Sequence, residues 1–237
     1  MRPVLTILVL AKAPAVGRSK TRLAPAFGPD GAAELAAAAL QDTLDAVAAA
    51  QVGRRVLVLD GALRSRFDVT LPDGFEVVPQ AGGGHAERIA AALAACTEPA
   101  LLIGMDTPQV TPELLTVDAR NGVDAWFGPA WDGGWWALGL REPARFARAA
   151  LAGVPMSSVN TGAAQLDRLR MLGLAVARLP VLRDVDEPAD AAAVAAQVPG
   201  SRFATVHAAR AGLGLGLGLG LGLGLGLGLG SLAGTPR

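Results

Sequence analysis

Residues 4–10 read Val-Leu-Thr-Ile-Leu-Val-Leu, apolar at every position but one and rich in β-branched side chains. Such a run has no polar face, so it predicts a strand covered on both sides, as in a parallel sheet between layers of helices. Shorter runs of the same kind stand at residues 56–59, 100–103 and 125–127, and residues 135–140 and 174–179 are two further strand candidates. Between them, the apolar spacing predicts helices over residues 30–50, 85–95, 112–119, 143–152, 161–172 and 188–197. In the first helix, Glu34, Gln41, Asp42 and Asp45 are expected to form a solvated face. Strands alternating with helices predict a three-layer α/β fold. In such folds ligands gather beyond the carboxyl ends of the strands, so the loops there are where chemistry is sought.

The two ends need separate treatment. Arg2 followed by residues 4–10 mimics a secretory signal, but its charged region is one arginine and the unit is about 13 residues long, against the roughly 15–30 residues a signal peptide needs. A buried first strand is the expectation. From Gly212 to Gly230, glycine and leucine alternate without a break. Nine leucines would favour membrane insertion by about 0.3–0.6 kcal/mol each. Ten glycines cost a helix about 1 kcal/mol each relative to alanine. No aromatic belt flanks the segment. We therefore expect one α/β domain over residues 1–200 and a poorly ordered low-complexity tail over 201–237.

Composition narrows the function classes. Lys plus Arg and Asp plus Glu stand at 21 each, for a net charge of zero. That argues against non-specific binding to nucleic acid or to an anionic membrane. Cys96 is the one cysteine, so no internal disulfide forms, and a reducing cytoplasm is the expected location. His85 and His207 are the only histidines, and their spacing recommends neither zinc nor Ser-His-Asp chemistry.

The charge is distributed unevenly. Both lysines of the protein, Lys12 and Lys20, lie in the loop after the first strand, with Arg18 and Arg22. No acid precedes Asp30. Pro14 and Gly17 shape the turn, and Gly17 admits close backbone approach. Lys12, Arg18, Lys20 and Arg22 are expected to converge on phosphate, backbone N–H groups helping. A solvated basic loop is the bland alternative. The loop is neither G-x-x-x-x-G-K-[ST] nor G-x-G-x-x-G, so a Walker nucleotide site and a dinucleotide dehydrogenase lack support.

Acids follow the later strands. Asp106 lies just past residues 100–103, placed to hold Mg²⁺ or Mn²⁺ by hard carboxylate oxygens. Asp132 opens Asp132-Gly133-Gly134 beside Trp135 and Trp136. That stretch is either a hairpin turn or a ligand-facing loop with aromatic walls, in which Asp132 orients or deprotonates an acceptor hydroxyl. Asp184 and Asp186 alternate before the last helix and face one way in an extended segment. One of the two completes the cation site, or else caps the helix or pairs with Arg183. Glu87 and Arg88, behind Gly82-Gly83-Gly84, either order a substrate loop or form the first turn of a helix.

With these residues in view, the chain resembles a bacterial family of GT-A-like glycosyltransferases, whose better-known relatives include the molybdenum-cofactor and phospholactate guanylyltransferases. The matching stretches are AKAPAVGRSKTRLAP (11–25), QDTL (41–44), HAERIAAAL (85–93), LLIGMDTPQVTPELL (101–115), GPAWDGGWWALGL (128–140) and LRDVDEPAD (182–190). The resemblance implies a Rossmann-like nucleotide-diphospho-sugar transferase fold with a mostly parallel sheet. It also implies that Lys20 and its neighbours hold donor phosphates and that Asp106 stands in for the acidic metal motif. That motif is often Asp-x-Asp, whereas Gly104 and Pro108 flank Asp106 here. Trp135-Trp136 replaces what is often a tyrosine pair. The expected function is metal-dependent transfer of a sugar from a nucleotide-diphosphate donor to a small-molecule acceptor. Nucleotidyl transfer from an NTP and nucleotide binding without turnover are the alternatives.

Overall fold

The computed structural model describes residues 5–63, 67, 69–118 and 122–222. Its strands are β1 (Thr6–Lys12), β2 (Arg54–Asp60), β3 (Phe75–Pro79), β4 (Ala100–Ile103), β5 (Ala125–Pro129), β6 (Trp135–Leu140) and β7 (Val176–Arg178). They form one sheet in the order β3-β2-β1-β4-β6-β5-β7. β6 runs antiparallel to both its neighbours, and every other pairing is parallel. The carboxyl ends of the six like-directed strands therefore share one edge. This is the mostly parallel α/β sheet that the apolar runs predict.

β1 shows why an unbroken apolar run becomes a central strand. Leu8 points to one face, where it packs with Val56, Leu102 and Leu138 under α2 (His85–Ala94), α3 (Pro143–Leu151) and α4 (Thr161–Met171). Ile7 and Val9 point to the other face, against Leu57, Leu101 and Ile103 under α1 (Ala24–Ala49). Both faces are shut off from water, so every position profits from an apolar side chain. α1 bends at Gly28, whose φ of 70° breaks the helix just before Pro29. At its far end, Arg55 donates to the carbonyls of Val47, Ala48 and Ala50, where the helical ladder runs out.

Three expectations need correction. β3 escapes the sequence reading because it is a five-residue edge strand with Glu76 and Val77 exposed, not a buried run. The helix expected over 112–119 is a series of turns over the described residues. There the Thr116 hydroxyl donates to the Pro112 carbonyl and the Thr116 amide donates to Glu113, three residues back, so the helical ladder is not established. The solvated face of α1 is covered. Gln41 is buried and bonds Asp45 and the Thr70 amide. Asp42 accepts from the amides of Arg202 and Phe203, Asp45 pairs with Arg202, and Glu34 pairs with Arg210.

The cover is α6 (Arg202–Gly222), which follows α5 (Pro188–Gln197). Asp42 caps its N-terminus from across the chain. Phe203 is fully buried in a third cluster with Leu23, Leu35, Val185, Ala191 and Val194. Residues 202–210, set apart from the domain by the boundary expected at 200, thus pack onto it. Residues 1–4, with Arg2, and residues 223–237, which include the last part of the Gly-Leu stretch, lie outside the described residues. No helix among the described residues is long and apolar enough to cross a membrane.

Phe203→Ala is expected to cost about 3–5 kcal/mol of stability, as for other large-to-small core changes. Urea unfolding followed by circular dichroism checks this. A loss below about 1 kcal/mol, in the range of surface substitutions, would show that α6 is peripheral.

Candidate functional site

Three loops at the shared strand edge are stitched together by main-chain bonds. The Val185 amide donates to the Asp106 carbonyl at 3.0 Å, joining the loop after β4 to the segment after β7. Gln109 reinforces the joint by donating to the Arg183 carbonyl at 2.5 Å. The Trp131 amide donates to Leu182, and Leu182 to Pro129, which ties in the β5–β6 turn. Asp106, Asp132, Asp184 and Asp186 therefore ride on one fixed unit.

The basic loop after β1 folds back onto that unit. Ser19 closes a turn: its hydroxyl accepts from the Ala15 amide, and the Ser19 amide donates to the Ala15 carbonyl. Gly17 sits at φ 70° with open space around it, so its glycine meets a backbone demand. Lys20 follows in the left-handed region at φ 45°. Its amine lies 2.6 Å from Asp106 Oδ2 and 3.0 Å from Asp186 Oδ1, with the side chain 12% exposed. Arg22, largely exposed, reaches Asp186 Oδ2 at 3.3 Å. Lys12 and Arg18 point to solvent and make no ion pair among the described residues. Of the four cations expected to converge, two meet the carboxylates.

The electrostatics follow from this packing. Burial alone would lower the Lys20 amine, but the charges of Asp106 and Asp186 and their hydrogen bonds outweigh it, and its pKa is raised. Asp184 is pushed from its ordinary 3.8 up to about 6, first by burial and then by the charges of Asp132 and Asp186, with Lys20 opposing. Buried Val185 points the opposite way, so Asp184 and Asp186 share a face as alternation predicts. Asp186 is neither cap nor partner to Arg183. Asp190 takes both tasks, accepting from the Glu187 amide at 2.9 Å and pairing with Arg183 at 3.2 Å.

Asp132 lies in a hairpin turn between β5 and β6, exposed, with Oδ1 accepting from the Gly134 amide at 2.7 Å. The turn presses on the start of α4: a Cβ at Gly133 would stand 2.1 Å from the Val159 carbonyl oxygen. The aromatic walls expected from Trp135 and Trp136 are not there. Trp136 is buried and donates to the Pro180 carbonyl, and Trp135 packs on the core, because alternation along β6 turns both toward the helical layers. The exposed tryptophan is Trp131, on which Arg183 stacks at 3.6 Å.

Sequence reasoning passed over His85. It opens α2 behind the glycine loop, and its pKa is lowered by burial and by Arg88, while the charge of Asp106 pulls it upward. It therefore lies within electrostatic reach of Asp106. Three glycines leading into a helix N-terminus were the available signal. Arg88 orders that loop by donating to Gln80, which itself donates to the carbonyls of Ala11 and Val58.

A divalent cation suits this donor set in one mode only. Among the described residues, no three His, Cys, Asp or Glu side chains are grouped to hold a metal. Asp106 and Asp186 do offer hard oxygens around one point. Mg²⁺ is commonly held by one or two carboxylates, with substrate phosphates and water filling the remaining positions. The pair fits that mode and not an all-protein cage.

Comparison with known proteins agrees at the level of the fold. Residues 43–158 match a family described as an uncharacterised protein conserved in bacteria (DUF2064). No curated protein matches the chain. A crystal structure from Desulfovibrio desulfuricans G20, provisionally classed as a nucleotide-diphospho-sugar transferase, is 25% identical with a TM-score of 0.74, covering 86% of this chain and 92% of that one. Rv0371c from Mycobacterium tuberculosis H37Rv is 24% identical with a TM-score of 0.52, over 82% and 98% of the two chains. A nucleotidyl transferase from Methanothermobacter thermautotrophicus is 16% identical with a TM-score of 0.53, over 81% and 95%. The fold is the Rossmann-like one of nucleotide-diphospho-sugar transferases, and its structural neighbours include a nucleotidyl transferase.

The raised Asp184 has a measurable consequence. Between about pH 4 and 6 the folded chain holds a proton there that the unfolded chain has lost, so this group's contribution to stability falls as pH rises through that window. Asp184→Asn is expected to raise the melting temperature at pH 7.5 and to change it little at pH 4.5. Equal shifts at both pH values would show that Asp184 is not held protonated by the fold.

Proposed function

We propose that this chain is a metal-dependent glycosyltransferase that moves a sugar from a nucleotide-diphosphate donor to a small-molecule acceptor. The observation that carries the reading is the meeting of Lys20 with Asp106 and Asp186 at the carboxyl edge of a sheet of nucleotide-diphospho-sugar transferase type. A polyphosphate lying there meets cationic side chains from the loop after β1 and carboxylates from two later loops.

In this reading Asp106 and Asp186 hold Mg²⁺ or Mn²⁺, which when bound supplies Lewis-acid stabilisation of the departing diphosphate. Lys20 and Arg22 bind and orient the phosphates, a charge arrangement aimed at where negative charge develops. Lys12 and Arg18, free at the rim, extend the cationic lip over which the diphosphate enters, and Gly17 shapes that lip. Asp132, exposed in the β5–β6 turn with one oxygen held by the Gly134 amide, orients the acceptor hydroxyl and takes its proton. Asp184 stands beside the carboxylate cluster, where it feels the charges of Asp132 and Asp186. No nucleic acid or membrane enters this account, and the site of action is the cytoplasm.

Nucleotidyl transfer, of the kind carried out by guanylyltransferases on a phosphorylated small molecule, is the second reading. It is favoured by the source of the carboxylates: Asp106 lacks an Asp-x-Asp partner, and its companion comes from a separate strand. Incubation with Mn²⁺ and either nucleotide sugars or NTPs separates the two. Release of a nucleoside diphosphate from the sugar nucleotide is expected, and pyrophosphate release from an NTP would overturn the first reading. Asp132→Asn is expected to lower kcat by about 10²–10⁴, the usual contribution of a general base, with nucleotide binding retained. A variant that keeps full turnover would remove Asp132 from the chemistry.

A further inference from the structure

Lys20 is placed differently from a lysine that simply waits for phosphate. Its amine is already engaged by two carboxylates, at 2.6 and 3.0 Å. It is 12% exposed, whereas the Asp106 and Asp186 side chains are 39% and 41% exposed. It is one of two non-glycine residues with positive φ among the described residues. That conformation is uncommon for a residue bearing a side chain, and Leu23 three positions on is fully buried, so the loop is anchored in it. Among the described residues no other cation touches Asp106, and Arg22 reaches only the second oxygen of Asp186. The ammonium thus stands where the two carboxylates converge, the point a bridging metal would need.

Two like charges converging on one point require a counter-charge. An ammonium meets that need with three donors and no demand for further ligands. Mg²⁺ and Mn²⁺ want several oxygens, and no third protein ligand is grouped with this pair among the described residues. Lys20 is therefore favoured over a metal when the site contains protein alone, and a diphosphate changes both sides of that competition. Its oxygens attract the ammonium, and they supply the ligands that the metal lacks.

We propose that Lys20 is a resident counter-cation that closes the Asp106–Asp186 pair to divalent metal until a nucleotide diphosphate arrives, so that metal and nucleotide bind with positive cooperation. This rests on the nucleotide-binding reading above. Manganese binding to the full chain, read from the free Mn²⁺ signal in electron paramagnetic resonance, tests it without any assay of turnover. Lys20→Met should bind Mn²⁺ at least about tenfold tighter than the native chain without nucleotide, and Lys20→Arg should bind it as weakly as the native chain. Adding UDP, GDP, CDP or ADP, each in turn, should tighten Mn²⁺ binding to the native chain for at least one nucleotide, beyond what the nucleotide binds by itself, and should tighten it in Lys20→Met by a smaller factor. Equal Mn²⁺ affinity of Lys20→Met and the native chain without nucleotide would overturn the proposal. Tighter binding by Lys20→Met, with no nucleotide affecting the native chain, would support the counter-cation role and overturn the nucleotide reading. Should Lys20→Met melt at a lower temperature, recovery on adding Mn²⁺ alone supports the proposal, and a loss that Mn²⁺ does not repair overturns it.

Discussion

A single ammonium, nearly shut off from water, joins loops that leave two different strands of the sheet. Lys20 can hold Asp106 and Asp186 together only because the backbone brings them to one place first. The parallel strands send their loops to one edge, and the Val185 amide fastens the two acidic loops to each other. The third hydrophobic cluster then fixes both partners. Leu23 lies three residues after Lys20, Val185 lies between Asp184 and Asp186, and both are buried with Phe203 of α6. Apolar burial beneath the loops thus sets an electrostatic contact above them, and α6 belongs to the scaffold of the site.

Much of this was legible in the chain because the governing patterns are local. Unbroken apolar runs mark strands covered on both faces, and β1, β2, β4, β5 and β6 stand where such runs lie. Two cues fixed the charged loops: all the lysine falls after one strand, and the acids follow later ones. What stayed hidden depends on distant partners. Glu34, Asp42 and Asp45 look like a solvated face until α6 supplies Arg202, Arg210 and a helix N-terminus to be capped. The same polar row that suggested water was recording a neighbour 160 residues away. β3 was missed because an edge strand needs only partial burial. Of the two readings of the Asp132 loop, the one with aromatic walls fails for Trp135 and Trp136 because the loop sequence does not say where strand alternation begins.

The carboxylates illustrate a further limit of local reading. The motif around Asp106 looks incomplete beside Asp-x-Asp, and its second acid comes from the far end of the sheet, after β7. Long-range assembly of this kind leaves Asp184 and Asp186 indistinguishable in sequence. The fold separates them: Asp186 meets Lys20, and Asp184 is crowded by Asp132 and Asp186 and held up to about 6. A carboxylate pair, the ammonium between them and the exposed Asp132 are thereby gathered on one edge of the sheet.

The most direct measurement is anomalous scattering from crystals of the chain grown with MnCl₂ and a nucleoside diphosphate. The account requires a manganese peak between Asp106 and Asp186, with phosphate oxygens on it and the Lys20 amine moved onto the phosphates. A nucleotide bound away from this edge, or manganese bound elsewhere while Lys20 still bridges the two carboxylates, would contradict it.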